Sequence, residues 1–142
     1  MLVNPDFADH VGREIQATSV AVTPISKGLS AVFTLDSPDN ARRILGPTLT
    51  LNETVTWEKR NDDGSRPGRL TITVAGMPAS ADGQLCLRST PSGATLVYDS
   101  TFTVKIPLVG KRIEEMTAQY LTSIIAACEK VGNNWLANNR HP

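Results

Sequence analysis

The 142-residue chain has the length of one folding unit, since such units commonly run ~100 to 200 residues, so a second full domain is excluded. Apolar residues at 40% against 20% charged can fill a core and do not match the polar, charge-rich composition of disordered chains. Fourteen Lys and Arg offset fourteen Asp and Glu, so no net field draws nucleic acid or an anionic membrane.

The opening Met-Leu-Val-Asn-Pro-Asp-Phe carries neither a basic n-region nor an apolar h-region, and no run approaches the ~18 apolar residues of a membrane span. The expectation is a cytoplasmic protein. Cys86 and Cys128 are far apart without metal-ligand spacing and read as free thiols.

The hydrophobic period changes once, near Gly110, from two to about 3.6. Before it, short alternating runs separated by turn residues read as antiparallel strands joined by hairpins. The first strand is predicted over Ile15 to Thr23 and the second over Ala31 to Asp36, with Lys27-Gly28 supplying the positive φ of the connection. Asp39 to Leu45 reads as a helical turn ended by Gly46-Pro47.

Leu49 to Lys59 places Leu49, Leu51, Val55 and Trp57 on one face and a row of Thr and Asn on the other, wet face. A polar loop over 61–68 leads to a strand burying Leu70, Ile72 and Val74, and Gly76-Met77-Pro78 turns the chain. The next strand carries Gly83, Leu85 and Leu87 inward and Cys86 outward, closed by Pro91-Ser92-Gly93. The last strand is predicted to be the longest, with Leu96, Tyr98, Ser100, Phe102, Val104 and Ile106 on one face.

From Lys111, a stripe at helical spacing runs through Ile113, Met116, Thr117, Tyr120, Ile124, Ala127, Cys128, Val131 and Trp135. Glu114 and Glu115 suit the positive end of the helix dipole, and Lys130 and Arg140 lie toward the other end. Gly132-Asn133-Asn134 is the weak point, although Trp135 and Leu136 continue the stripe. About six strands with one dry face and a single long helix have one economical arrangement, in which the twisted sheet curls around the helix. The two surfaces then leave an apolar cavity between them.

The run Phe-Thr-Val-Lys-Ile-Pro-Leu-Val-Gly-Lys-Arg-Ile-Glu, from Phe102 to Glu114, resembles the strand-to-helix junction of the actinobacterial DUF2505 family. That family belongs to the START-like, Bet v 1-like (SRPBCC) superfamily. Asn4-Pro5-Asp6-Phe7, the Thr-x-Thr-x-Asn-Glu-Thr-x-Thr-Trp strand ending at Trp57, and Gly76-Met77-Pro78 before Gly83 extend the likeness over nearly the whole chain. The resemblance implies an α+β helix-grip fold with a hydrophobic cavity and no assigned activity; no cofactor is expected. It would make residues 1–14 a remnant of an N-terminal helical region, 15–108 the sheet and 111–138 the C-terminal helix, all one domain over 1–142.

Superfamily members begin with a strand and a short helix before the segment matching Asn4 to Phe7, and that strand lies beside the final one. Its absence here implies an exposed sheet edge, open to pairing in a homodimer, or a start codon upstream. The upstream start is favoured, because losing an edge strand and part of the cavity lid is costly.

Glu53 is the anomaly of the pattern, since alternation places a carboxylate on the apolar face between Leu51 and Val55. A bulge or register shift turning it outward, or an ion pair with an Arg, is the plain alternative. Trp57, Tyr98, Phe102 and Tyr120 would face the groove as stacking surfaces or simply as core, with Met116 and Ile124 as adaptable lining. The hydroxyls of Tyr98, Ser100, Thr117 and Tyr120 would fix a guest or be satisfied by the backbone.

Cys128 reads as a small inert hydrophobe. With only His10 and His141, no histidine-based metal cluster or catalytic triad can be drawn, and the Asn61-x-Asp63-Gly64 segment is a turn rather than a calcium loop. The leading expectation is a carrier or sensor of a hydrophobic small molecule or lipid. The alternatives are a cyclase- or dehydratase-like enzyme using Glu53 as acid or base, and a structural interaction module.

Overall fold

A computed structural model describes residues 1–138, without the side chains of Gln119 and Tyr120. The expectations for Tyr120, Arg140 and His141 therefore lie outside the described residues. The protein is α+β, with helix α1 (Pro5–Glu14), strands β1 (Ser19–Ile25) and β2 (Gly28–Asp36), and a short helix α2 (Arg42–Leu45). Strands β3 (Thr48–Trp57), β4 (Arg66–Val74), β5 (Ala79–Thr90) and β6 (Gly93–Val104) follow, then the long helix α3 (Gly110–Asn138). The strands form one curved antiparallel sheet in sequence order, β1 to β6, so β1 and β6 are its edges.

Helix α1 begins where Asn4 accepts the Asp6 amide at 2.8 Å and Pro5 opens the first turn. Phe7, Ala8 and Val11 form its buried stripe. Phe7 and Val11 pack with Val131, Cys128 and Trp135 of α3, and the Phe7 and Trp135 rings meet edge-on at 5.9 Å. The helix ends at Ile15, and Gln16 takes φ +59°, so β1 starts at Ser19 rather than at Ile15. Ile15 turns into the core instead. Glu14 and Lys130 tie the end of α1 to α3 through a 2.6 Å ion pair.

The first hairpin is tighter than its sequence suggests. Ile25 pairs with Gly28, leaving a two-residue turn in which Lys27, not Gly28, adopts the left-handed conformation, φ +63°. Gly28 serves a different purpose: a Cβ there would fall on the Val55 carbonyl oxygen of the neighbouring strand.

Helix α2 is confined to four residues and stopped by Gly46 at φ +79°. Strand β3 stops at Trp57, short of Lys59, and β6 stops at Val104, short of Ile106. Strands β5 and β6 are both 12 residues long, so the last strand is not the longest.

The Glu114 carboxylate accepts the Val104 amide at 2.8 Å, fastening the start of α3 to the end of β6. Helix α3 then continues through Gly132-Asn133-Asn134 to a length of 29 residues, about 44 Å at ~1.5 Å per residue. Packing of Val131 against α1 outweighs the local preference of Gly and Asn for a cap. No helix among the described residues is long and apolar enough to cross a membrane.

Candidate functional site

Strands β3 to β6 and helix α3 enclose apolar space rather than meeting in a filled interior. A chamber of about 310 Å³ lies between α2, β3 to β6 and the first half of α3, walled by residues including Leu45, Val74, Ala81, Phe102, Ile113 and Met116. A second, more enclosed chamber of about 100 Å³ follows along α3 and is walled by α1, β2 to β6, Leu121, Ile124 and Cys128. The two share Leu51, Ile72, Leu121 and Ile124, so they are separated only by this waist. A third space of about 340 Å³ shares Leu2, Phe7, Leu96, Tyr98 and Cys128 with the narrow chamber and reaches Gly132 and Leu136. Together they form a run of compartments along α3, the third more polar, with Thr95, Glu129 and Asn133 in its wall.

Glu53 stands in the wall of the narrow chamber. The ladder runs unbroken through it, with Ala31 of β2 opposite on one side and Ile72 of β4 on the other, so no bulge turns it outward. It has no ion pair or hydrogen bond among the described residues. Its neighbour Ala31 is small and only 2% exposed, and Glu53 itself lines the chamber. Loss of hydration disfavours the charged form, and burial pushes the carboxyl up from 4.5 to about 7.

Tyr98 and Cys128 line the same chamber. Burial raises the Tyr98 hydroxyl above its ordinary 10, and the nearby Cys128 and Glu53 charges add to the effect. Burial, followed by the Glu53 charge, pushes the Cys128 thiol up to about 12. A thiol held so firmly in its protonated form is a poor nucleophile, in keeping with an inert lining role.

Trp57 is 3% exposed and lines the narrow chamber, with the Arg66 guanidinium 5.8 Å from its ring centroid. Among the described residues its buried indole Nε1 has no hydrogen-bond partner. Isolated polar atoms of this kind are uncommon in folded interiors.

The residues singled out from sequence divide between the compartments. Glu53, Trp57 and Tyr98 meet at the narrow chamber, Phe102 and Met116 at the wide one, and Ile124 belongs to both. Ser100 does not join them. It shares the inward phase of Tyr98 and Phe102 but is exposed, because β6 is an edge strand and its ladder partner there, Gly83, offers no side chain to cover it. Thr117 lines the wide chamber.

Among the described residues, no three His, Cys, Asp or Glu side chains are grouped as a metal site. At the polar turn, Asp63 accepts the Ser65 amide at 2.8 Å and the Ser65 hydroxyl at 2.5 Å. These bonds hold its carboxyl below the ordinary 3.8.

Residues 1–136 match the family described as "Protein of unknown function (DUF2505)". The chain belongs to the DUF2505 family. No curated protein and no solved structure matches it. The family description assigns no chemistry, so the reading of this DUF2505 chain rests on its compartments.

Sequence reasoning missed the waist and the α1 wall. Leu121 lies three residues before Ile124 and four after Thr117, a spacing that places it on the inner stripe. Phe7, Val11 and Ile15 recur every four residues and would have marked an inward face of α1.

Proposed function

We propose that this DUF2505 protein is a non-enzymatic binding module, a carrier or sensor holding a hydrophobic small molecule or lipid between its sheet and α3. The observation that carries this reading is the pair of adjoining chambers, about 310 and 100 Å³, lined mainly by apolar side chains. The larger alone falls at the lower end of the ~300 to 1,000 Å³ typical of small-molecule sites. The order of sheet and closing helix is consistent with the helix-grip arrangement of the START-like, Bet v 1-like superfamily, and the proposal places the chain there.

The reading is tested by native mass spectrometry of protein purified from its own host, followed by displacement of a neutral fluorescent lipid. A co-purifying adduct and saturable probe binding are expected. Persistent absence of both overturns the reading.

A second reading is favoured by one observation. A carboxyl held at about 7 in an apolar chamber can give and take a proton near neutral pH, as a cyclase- or dehydratase-like acid or base must. In that case Glu53 would titrate near 7 in the free protein by carboxyl-resolved NMR, and turnover of an unsaturated or hydroxylated apolar substrate would follow the same titration. A Glu53 titrating near 4 removes this reading.

A further inference from the structure

The polar content of the compartments constrains the guest. Among the described residues, no Lys, Arg or His lines the wide or the narrow chamber, so an anionic headgroup drawn inside would meet no counter-charge from them. Among the described residues, the ionisable side chains in these walls are Glu53, Tyr98 and Cys128, and burial holds Tyr98 and Cys128 neutral at physiological pH. The faces that α1, β2, β4 and β5 turn to the narrow chamber are apolar. Among the described residues Glu53 is therefore a carboxyl without a partner in a largely apolar space, and such a group is destabilising unless a complementary charge or donor reaches it.

We propose that the guest is a cationic amphiphile, an apolar chain bearing an amine, whose ammonium group pairs with Glu53 in the narrow chamber while its chain passes the Leu51–Leu121 waist into the wide one. This proposal rests on the binding reading above and names the ligand class for the same site. The Glu53 carboxylate and the Tyr98 hydroxyl oxygen can accept hydrogen bonds from an ammonium, while the Trp57 indole N–H in the same wall is a donor and makes no bond with it. A carboxylate guest would face like-charge repulsion from Glu53, and an alcohol would gain only a neutral hydrogen bond.

The proton balance gives a signature. Below pH 7 Glu53 is mostly protonated, so an entering alkylammonium ion displaces the Glu53 proton, which passes to solvent. Uptake at pH 6 therefore releases close to one proton, and uptake at pH 8 almost none.

The test compares decylamine, decan-1-ol and decanoate, each below its micelle concentration, by calorimetric titration at pH 6 and pH 8. At pH 8 decylamine is expected to bind at least about tenfold more tightly than decanol, with decanoate weakest, by the strength of a charge-assisted pair. Its affinity should fall about tenfold at pH 6, following the carboxylate fraction of a group near 7. Glu53→Gln should erase the preference for the amine over the alcohol.

Should that variant fail to fold, proton release at pH 6, measured in buffers of different ionisation enthalpy, decides the matter on the unaltered protein. Saturable binding of decanol or decanoate without preference for the amine overturns the assignment and leaves the binding reading standing. No saturable binding of any of the three overturns both.

Discussion

The two chambers are built from the same sheet and helix yet differ in chemistry. The wide one, near the start of α3, is bounded by Leu, Val, Ala, Phe and Met side chains with Thr117 and Ser123 at α3. It carries no charged side chain among the described residues, and its polar groups are Asn40, Thr117 and Ser123. The narrow one, midway along α3, adds Glu53, Tyr98 and the unpartnered indole of Trp57 to an otherwise similar wall. Volume makes room for a guest, whereas isolated polar groups decide which guest stays. The contrast also divides roles, because the fold gains packing from the wide end and gives up stability at the narrow one.

The largest effect on stability should come from the packed margin of the wide chamber. Ile113 is 2% exposed and packs with Val74, Ala79 and Val104, where β6 passes into α3. Ile113→Ala removes buried methyl groups and leaves a void, at a cost of about 2–5 kcal/mol. Urea denaturation at pH 7 should show this loss, and a cost below about 1 kcal/mol would mean that the margin is loose rather than packed.

At the narrow chamber the sign reverses. The folded protein holds the Glu53 proton at about 7 and the unfolded chain near 4.5, so Glu53 favours folding below 4.5 and loses that contribution as pH rises through 7. The gap corresponds to something on the order of 3 kcal/mol at ~1.36 kcal/mol per pH unit. Glu53→Gln should therefore stabilise the protein by roughly 3 kcal/mol at pH 8 and hardly at all at pH 4. Denaturation curves at the two values check this. Parallel pH profiles for the two proteins would place Glu53 in water.

How far this contrast could be read from sequence follows from the physics of each element. The strands were legible because alternation is a local pattern, and Glu53 stood out because one charged residue broke an apolar row. Its inward direction was not decidable alone, since a bulge or an Arg partner would have hidden it, and only the unbroken Ala31–Glu53–Ile72 ladder excludes the bulge.

Ser100 shows the opposite failure. Its phase was right, but cover depends on what stands beside it, and an edge strand facing Gly83 supplies none. The hairpin is legible in part: the Lys27-Gly28 pair does supply the positive φ, at Lys27, whereas the close approach of Gly28 to the Val55 carbonyl depends on a neighbouring strand. The waist through Leu51, Ile72 and Leu121 joins three elements far apart in sequence, and no local period announces it.

The smallest effect on stability is the most informative about vacancy. Ala81 is 2% exposed, pairs with Ile72 and Phe102 on the neighbouring strands, and lines the wide chamber. In a well-packed interior, the added carbons of Ala81→Leu would force neighbours aside at about 1–3 kcal/mol. In a chamber of about 310 Å³ the new side chain enters open space, and the added burial offsets much of the strain. The expected change in stability is thus within about 1 kcal/mol, while affinity for a decyl chain falls because chain and side chain compete for one volume. Loss of stability without loss of affinity would show that the space had closed. Loss of affinity alone would separate the room for a chain from the carboxyl that selects its headgroup, since the amine preference set by Glu53 should survive the substitution.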